Sequence, residues 1–433
     1  MTTVNVIDAP CGYGKTSWAI QYMNDTDTGF HRFIYVTPFL DEVARVRKSV
    51  QGRTFHEPTS SKNETKLDDL HRLLGQGKDI ATTHALFQMA NAETRELIRS
   101  NNYTLVLDEV MNVIEQVPLK KDDLNLLQEA GAIEFDLNEC GLTYVRWVDE
   151  HKQFEDTKYN DIKQMALTSN LMFCDNSALI WNLPCDIFSV FTDVYILTYL
   201  FKGQLQRYYY DLHHIQYRYL SVVKDHQYGY SLIPYGERQI HDKTSLQQFV
   251  SIYEGQLNAV GEKRNALSTS WFEKTVNKDL IATLQRNAYN FLTNMCKANN
   301  DTAIWTTVKG NKDSTMKKVK PKSFAKCFVP MTSRATNLYK EKYNLAYLVN
   351  RFMNPIEKKF FEQYGVKVDE DAWALSELIQ WAWRSRIRDG QPITIFIPSK
   401  RMRELFQQYL ASDDFEVPPE NAIVTGAPSD WHL

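Results

Sequence analysis

The run Ala9-Pro10-Cys11-Gly12-Tyr13-Gly14-Lys15-Thr16 has residue types and spacing suited to gripping a phosphate chain. Small residues at 9, 12 and 14 let backbone N–H groups curl round an anion. A helix beginning just after Gly14 would add its positive N-terminal end. Lys15 would reach the β- and γ-phosphates, the Thr16 hydroxyl would sit on Mg2+, and Ser17 completes the candidate nucleotide-binding run. Further on, the apolar stretch Tyr103–Leu107 ends in Asp108-Glu109. Acids at strand ends are common, but downstream of a phosphate loop they match the needs of triphosphate hydrolysis. Asp108 would hold Mg2+ through water, and Glu109 would orient and deprotonate the attacking water. A third group, Gln380, Arg384 and Arg388, is spaced four and four. On one helix these share a face, with Arg386 pointing elsewhere. Flanked by Trp381 and Trp383, they could clamp a triphosphate, since arginine from a facing domain stabilises charge on a transferred phosphoryl group.

These groups need a scaffold, and the order of apolar runs supplies one. Strands are expected at Val4–Ile7, Phe33–Val36, Asp79–Thr82, Thr104–Leu107 and Val194–Leu197, with helices at Thr16–Met23 and from Leu40. That alternation predicts a parallel, helix-covered sheet, with ligands gathering at the carboxyl ends of its strands. Residues of about 120–182 break the rhythm and read as an insertion with short strands at Ala132–Phe135 and Tyr144–Val148. The polar, Tyr-rich connection at Gln204–Asp211 suggests a boundary, giving domains at 1–205 and 206–411 and a loosely ordered tail at 412–433. The second half opens with an antiparallel pair (Gln216–Val223, Tyr230–Ile233). Helices are then expected at Ser245–Leu257, Asp279–Cys296 and Ala372–Arg388. The expected strands are Ala303–Val308, Lys326–Val329, Ala346–Val349 and Ile393–Ile397.

With 433 residues, two to three domains are expected, and 43% hydrophobic with 24% charged residues is ordinary globular composition that excludes collagen-like or wholly disordered chains. Fifty Lys+Arg against 53 Asp+Glu give a net charge of −3, so nucleic-acid binding would need a local patch. Lys309 to Lys326 is such a stretch, with seven lysines against Asp313 alone; a solvated loop is the alternative. Thr37-Pro38 and Thr82-Thr83-His84 each follow a strand on the edge that carries the phosphate loop. They could hold a nucleic-acid backbone or serve as ordinary helix caps. The six cysteines are scattered without a Cys-x-x-Cys pair, which argues against a zinc knuckle and for a reducing compartment. No basic, apolar leader and no membrane-length run is present, so a cytoplasmic protein without a membrane partner is expected.

Taken in order, these motifs resemble the superfamily 2 helicases of the DEAD/DEAH-box-like group. Residues 9–16 resemble motif I, Thr37-Pro38 motif Ia, and Asp108-Glu109 motif II, with Val110-Met111 in place of its usual ending. Thr198 stands where motif III has its hydroxyl, Trp305-Thr306-Thr307 in motif IV, and Ser333-Arg334-Ala335-Thr336-Asn337 resembles motif V. Gln380 to Arg388 resembles motif VI. Trp383 replaces its glycine and Ile387 stands at its final arginine position, so the arginine finger is Arg388 or Arg386; the shared helix face favours Arg388. With Ile-Pro-Ser-Lys-Arg-Met-Arg at 397–403, the chain is similar to helicases common in bacteriophages and prophages. The resemblance implies two tandem RecA-like α/β domains, the first with a small insertion, closing on ATP and Mg2+. It implies a nucleic-acid strand, DNA before RNA, held by Thr37, Pro38, Thr83, His84, Thr306, Lys309, Thr336 and Asn337, and a role in phage or prophage DNA replication or recombination beside proteins of those processes. The competing readings are a packaging motor, a loading or remodelling ATPase that does not unwind, a small-molecule kinase, and an ATP-switched scaffold.

Overall fold

The computed structural model describes residues 2–412 apart from 149–153, 155–156, 176–177, 226, 228, 236–242, 311–312 and 332–337. Five strands open the chain: β1 Val4–Asp8, β2 Arg32–Thr37, β3 Phe55–His56, β4 Asp79–Thr83 and β5 Tyr103–Asp108. β1 and β5 are buried along their whole length, as expected of near-continuous apolar runs in a parallel sheet covered by helices on both faces. The interruption follows as β6 Ile114–Val117, β7 Ile133–Leu137, β8 Thr143–Trp147, β9 Leu171–Cys174 and β10 Ala178–Asn182. These form their own antiparallel sheet in the order β6-β10-β9-β8-β7.

The chain then returns through β11 Asp193–Thr198, β12 Tyr217–Asp225 and β13 Gly229–Pro234. The first sheet reads β13-β12-β1-β11-β5-β2-β4-β3. β11 lies between β1 and β5 (Val4↔Val194, Val194↔Leu105), so the ends of the phosphate-loop strand and the acidic strand sit one strand apart. β12 runs parallel to β1, and β13 folds back antiparallel on β12. The antiparallel pair anticipated in the sequence therefore extends the first sheet past residue 205, where a domain boundary was expected.

A second parallel sheet carries β14 Val250–Ile252, β15 Ala303–Thr306, β16 Asn344–Tyr347 and β17 Ile393–Phe396 in the order β14-β17-β16-β15. The two lobes are tandem RecA-like α/β domains. Three expectations fail here in detail. The helix anticipated at 245–257 spans Lys243–Phe249, and the β-branched Val250 and Ile252 then enter the sheet. Lys326–Val329 forms a tight turn at Ala325–Cys327 and a single bridge, Trp305 to Phe328. The helix anticipated at 372–388 spans Glu370–Ala382 and stops. The Ser385 hydroxyl donates to the Ala382 carbonyl at 2.7 Å, offering the backbone a local alternative to continuing the helix. A separate 3-10 turn, Arg386–Asp389, follows and is closed by Gly390 at φ 66°.

One buried hydrophobic cluster joins the lobes, running from Leu105 through Tyr208 to Trp373 and Phe406. Gly203 meets the second lobe so closely that a Cβ there would lie 2.4 Å from the Ala372 carbonyl oxygen. The Tyr208 hydroxyl donates to the Asp369 carbonyl at 2.9 Å and accepts from the Asp369 N–H at 3.0 Å. The interrupting sheet adds its own ties: Asn354 donates to the Gln116 side chain at 3.0 Å, and Lys359 pairs with Asp175 at 2.6 Å. Among the described residues, no helix is long and apolar enough to cross a membrane.

Candidate functional site

The phosphate loop is built as its sequence requires. Asp8, at the end of β1, accepts hydrogen bonds from the Leu200 and Phe201 amides at 2.8 and 3.0 Å. Ala9 donates its amide to the Thr198 carbonyl at 3.1 Å. Gly12 and Gly14 take φ of 91° and 95°, a backbone that side-chain-bearing residues rarely adopt. Gly14 caps the helix Lys15–Asp25, which has no side-chain cap and no acid in its first turn. That leaves a helix N-terminus suited to an anion. Lys15 is 7% exposed. Its ammonium donates to the carbonyls of Ala9 and Pro10, the latter at 3.0 Å. Thr16 is half-buried and Ser17 exposed; Tyr13 is exposed, and burial pushes the Cys11 thiol up.

The acids meet this loop from β5. Asp108 Oδ2 accepts from the buried Tyr35 hydroxyl at 2.5 Å. Burial pushes the Asp108 carboxyl up to about 6; the Tyr35 hydrogen bond opposes that shift and the neighbouring Glu109 charge adds to it. Glu109 holds φ 68°, a strained backbone of the kind found at functional sites. Its amide donates to Leu197 at 2.9 Å, while its buried Oε2 has no hydrogen-bond partner among the described residues. His84 Nε2 donates to the Asp108 carbonyl at 3.2 Å, fixing that ring beside the acidic turn.

The second lobe closes the site. A cavity of about 270 Å³ is lined by Gly12, Lys15 and Thr16 of the loop, by Asp108 and Glu109, and by Gln380, Trp383, Arg384 and Arg388. The three polar residues of the late segment do meet at one place, but not as one helix face. Gln380 stands on the helix, Arg384 follows its end, and Arg388 lies on the separate turn. The break in the helix turns the chain back toward the phosphate loop. Arg384 is 4% exposed, and its guanidinium donates to the Pro330 and Met331 carbonyls, both at 2.9 Å. A Cβ on Gly12 would lie 2.9 Å from the Arg388 carbonyl oxygen, so the lobes touch at the loop itself. Arg386 stacks over the Tyr343 ring at 4.0 Å, donates to Pro392, and is absent from the cavity lining.

Three lining residues escaped the sequence reading. Glu42 and Arg45 form an ion pair of 2.7 Å on the helix Leu40–Ser49. Their three-residue spacing just after Thr37-Pro38 was the available signal. Tyr230 comes from β13, and assigning that strand to a second domain hid its nearness to the loop.

The candidate nucleic-acid contacts fare unevenly. Thr37 and Thr306 are fully buried, and their hydroxyls have no hydrogen-bond partner among the described residues. Both side chains are therefore covered in this structure: Thr37 ends β2, a central strand of the first sheet, and Thr306 ends β15, the edge strand of the second. Pro38 and Thr83 are half-buried, and Lys309 is exposed. Thr336 and Asn337 lie outside the described residues.

Two family models match parts of the chain. The YonV C-terminal Rossmann-like domain matches residues 244–410, and the YonV middle domain matches residues 114–181. Among solved structures, S. tokodaii Xpd4 is similar at 11% identity and TM-score 0.47 over 95% of both chains. Mss116p bound to ssRNA and AMP-PNP is similar at 10% identity and TM-score 0.35, over 96% of this chain and 70% of that one. The SPbeta prophage-derived uncharacterized protein YonV of Bacillus subtilis (strain 168) is 42% identical over 420 residues, 95% of this chain and 99% of that protein. The chain belongs to the YonV family.

Proposed function

We propose that this protein hydrolyses ATP with Mg2+ in the inter-lobe cavity and uses the turnover to move along or unwind nucleic acid, DNA before RNA, in prophage replication or recombination. The observation that carries the reading is the convergence of Lys15, Glu109 and Arg388 on one cavity walled by both lobes. The cavity chemistry fits the substrate and its metal. Two left-handed glycines open the loop, four cations (Lys15, Arg45, Arg384 and Arg388) line the space, and a buried Glu109 oxygen has no hydrogen-bond partner among the described residues. Mg2+ is commonly held by one or two carboxylates plus substrate phosphates. Thr16 and Asp108 suit it, and no group of three or more metal-ligating side chains is found among the described residues. Mg2+ would neutralise charge on the β- and γ-phosphate oxygens.

Lys15 would exchange its two loop carbonyls for phosphate oxygens. Glu109 would orient a water and take its proton through Oε2 as the oxygen attacks the γ-phosphorus. The bond from that phosphorus to the β,γ-bridging oxygen breaks, and ADP departs with the electron pair. Arg388, with Arg384 and Gln380, would stabilise the charge on the transferred group. Arg388 is preferred to Arg386 as the finger because Arg386 is engaged with Tyr343 and Pro392. Exposed lysines 309, 317, 318, 320, 322 and 326 would supply the backbone contact. The prophage origin of the YonV relative supports the setting.

Lys15→Ala is expected to abolish nucleic-acid-stimulated ATPase activity; unchanged turnover refutes the reading. A second reading, a loading or remodelling ATPase that does not unwind, is favoured by the buried seam between the lobes, which restrains their separation. A strand-displacement assay on partial duplexes separates the two.

A further inference from the structure

The cavity has a charged wall and an aromatic one. Lys15, Asp108, Glu109, Arg384 and Arg388 are among the charged residues of the first, with the Glu42–Arg45 pair beside them. Two rings contribute to the second, and they differ in kind. Trp383 is 4% exposed and packs edge-on to Tyr409 with ring centroids 6.2 Å apart. Tyr230 is half-buried and stands at the loop itself: a Cβ on Gly14 would lie 2.2 Å from its ring. Glycine at 14 thus admits the ring as well as the left-handed turn.

Tyr230 is fixed to the same helix that begins at the phosphate loop. The Gln21 side chain accepts from the Tyr230 amide at 2.9 Å and donates to its carbonyl at 3.1 Å. These bonds tie the Tyr230 backbone to the helix Lys15–Asp25, and the ring itself lies against Gly14. Across the hairpin, Lys224 pairs in register with Tyr230 and sets its ammonium 5.7 Å from the ring centroid, over one face. Tyr230 is only half-buried and lines the cavity, which leaves ring surface there for a flat ligand. A ring held in advance loses little conformational freedom on stacking.

We infer that Tyr230 is the stacking platform for the purine base of the nucleoside triphosphate, with β13 serving as a base-binding edge beside the phosphate loop. This rests on the proposed ATP site and names the residue that recognises the nucleoside end of the substrate. Base–aromatic stacking tolerates any base, because every base offers a π-face. The platform accordingly binds ATP and GTP alike.

The test compares two ligands in equilibrium binding without turnover: MgATP, and Mg-tripolyphosphate, which has the phosphates but no base. Tyr230→Ala is expected to weaken MgATP by roughly 5- to 150-fold, the effect of about 1–3 kcal/mol of stacking, and to leave Mg-tripolyphosphate within about twofold. Tyr230→Phe keeps the ring and is expected to retain MgATP affinity, which separates lost stacking from a collapsed loop. Equal weakening of both ligands in Tyr230→Ala would mean that the ring only shapes the loop and overturns the inference, as would undiminished MgATP binding. Failure of the site assignment itself looks different: Lys15→Ala would then bind both ligands as the parent does.

Discussion

Replacing Asp108 by asparagine tests whether the acidic turn carries a buried charge that the fold tolerates for the sake of a ligand. The carboxyl is 7% exposed, and burial lifts it from an ordinary 3.8 to about 6. A group whose folded value is raised favours folding while protonated. That contribution is complete below about pH 3.8 and is lost as pH rises through about 6. Above pH 6 the ionised carboxylate opposes folding. At 1.36 kcal/mol per unit the penalty is about 2–3 kcal/mol at pH 8. Asparagine removes the charge, keeps the shape, and leaves an amide oxygen to accept from the Tyr35 hydroxyl. Asp108→Asn is therefore expected to be more stable than the parent by about 2–3 kcal/mol in urea unfolding at pH 8, without metal or nucleotide. The gain should shrink as pH falls from 6 toward 4. Addition of MgATP should shrink this difference, because the parent gains more binding energy from the complex than a chain without the carboxylate. A gain that does not change with pH, or none at pH 8, would refute the account of Asp108 as a buried, ionised and ligand-seeking group.

Other expectations are equally direct. Arg388→Ala should lower ATP turnover by about 10³-fold or more while sparing nucleotide binding, whereas Arg386→Ala should cost only about 1 kcal/mol of stability from its lost stacking on Tyr343; the opposite pattern in single-turnover assays would reassign the finger. Gly203→Ala, which forces a methyl against the Ala372 carbonyl, should destabilise the protein by about 1–3 kcal/mol in thermal unfolding, and a neutral effect would mean that the seam is looser than its geometry. Changing Lys317 and Lys318 together to glutamine should weaken single-stranded DNA binding evenly across sequences and lower the salt slope by about 1.4; an unchanged slope would remove this stretch from the nucleic-acid path.

Much of the site could be read from local order along the chain. The phosphate loop declared itself because its strand, its glycines and its helix are contiguous, so residues 4–25 contain their own context. Asp108-Glu109 was legible for the same reason, at the end of a largely apolar strand. The late arginines were found by a spacing argument that the fold does not obey. A four-residue period implied a shared helix face, yet the Ser385 contact to Ala382 ends the helix, and the residues reach one cavity by a turn. Tyr230 was not legible because its place depends on β12 pairing with β1, a contact between residues more than 200 positions apart. A hydroxyl at a strand end reads as polar and accessible from sequence, whereas Thr37 and Thr306 are both buried. The interrupting sheet was recognised from its broken rhythm, but not its ties to the helix Pro355–Gln363, which no local pattern encodes.

The interior shared by the two lobes limits how far a catalytic cycle can drive them. Withdrawing one from the other would expose Tyr208, Phe361 and Trp373, which now lie in the joint cluster, at roughly 1.5–3 kcal/mol for each large side chain. A stroke of that amplitude would spend much of its energy on wetting the joint. A small twist about a dry pivot avoids that loss, and because Arg388 already abuts Gly12, even a slight rotation would alter the grip on a bound phosphate chain.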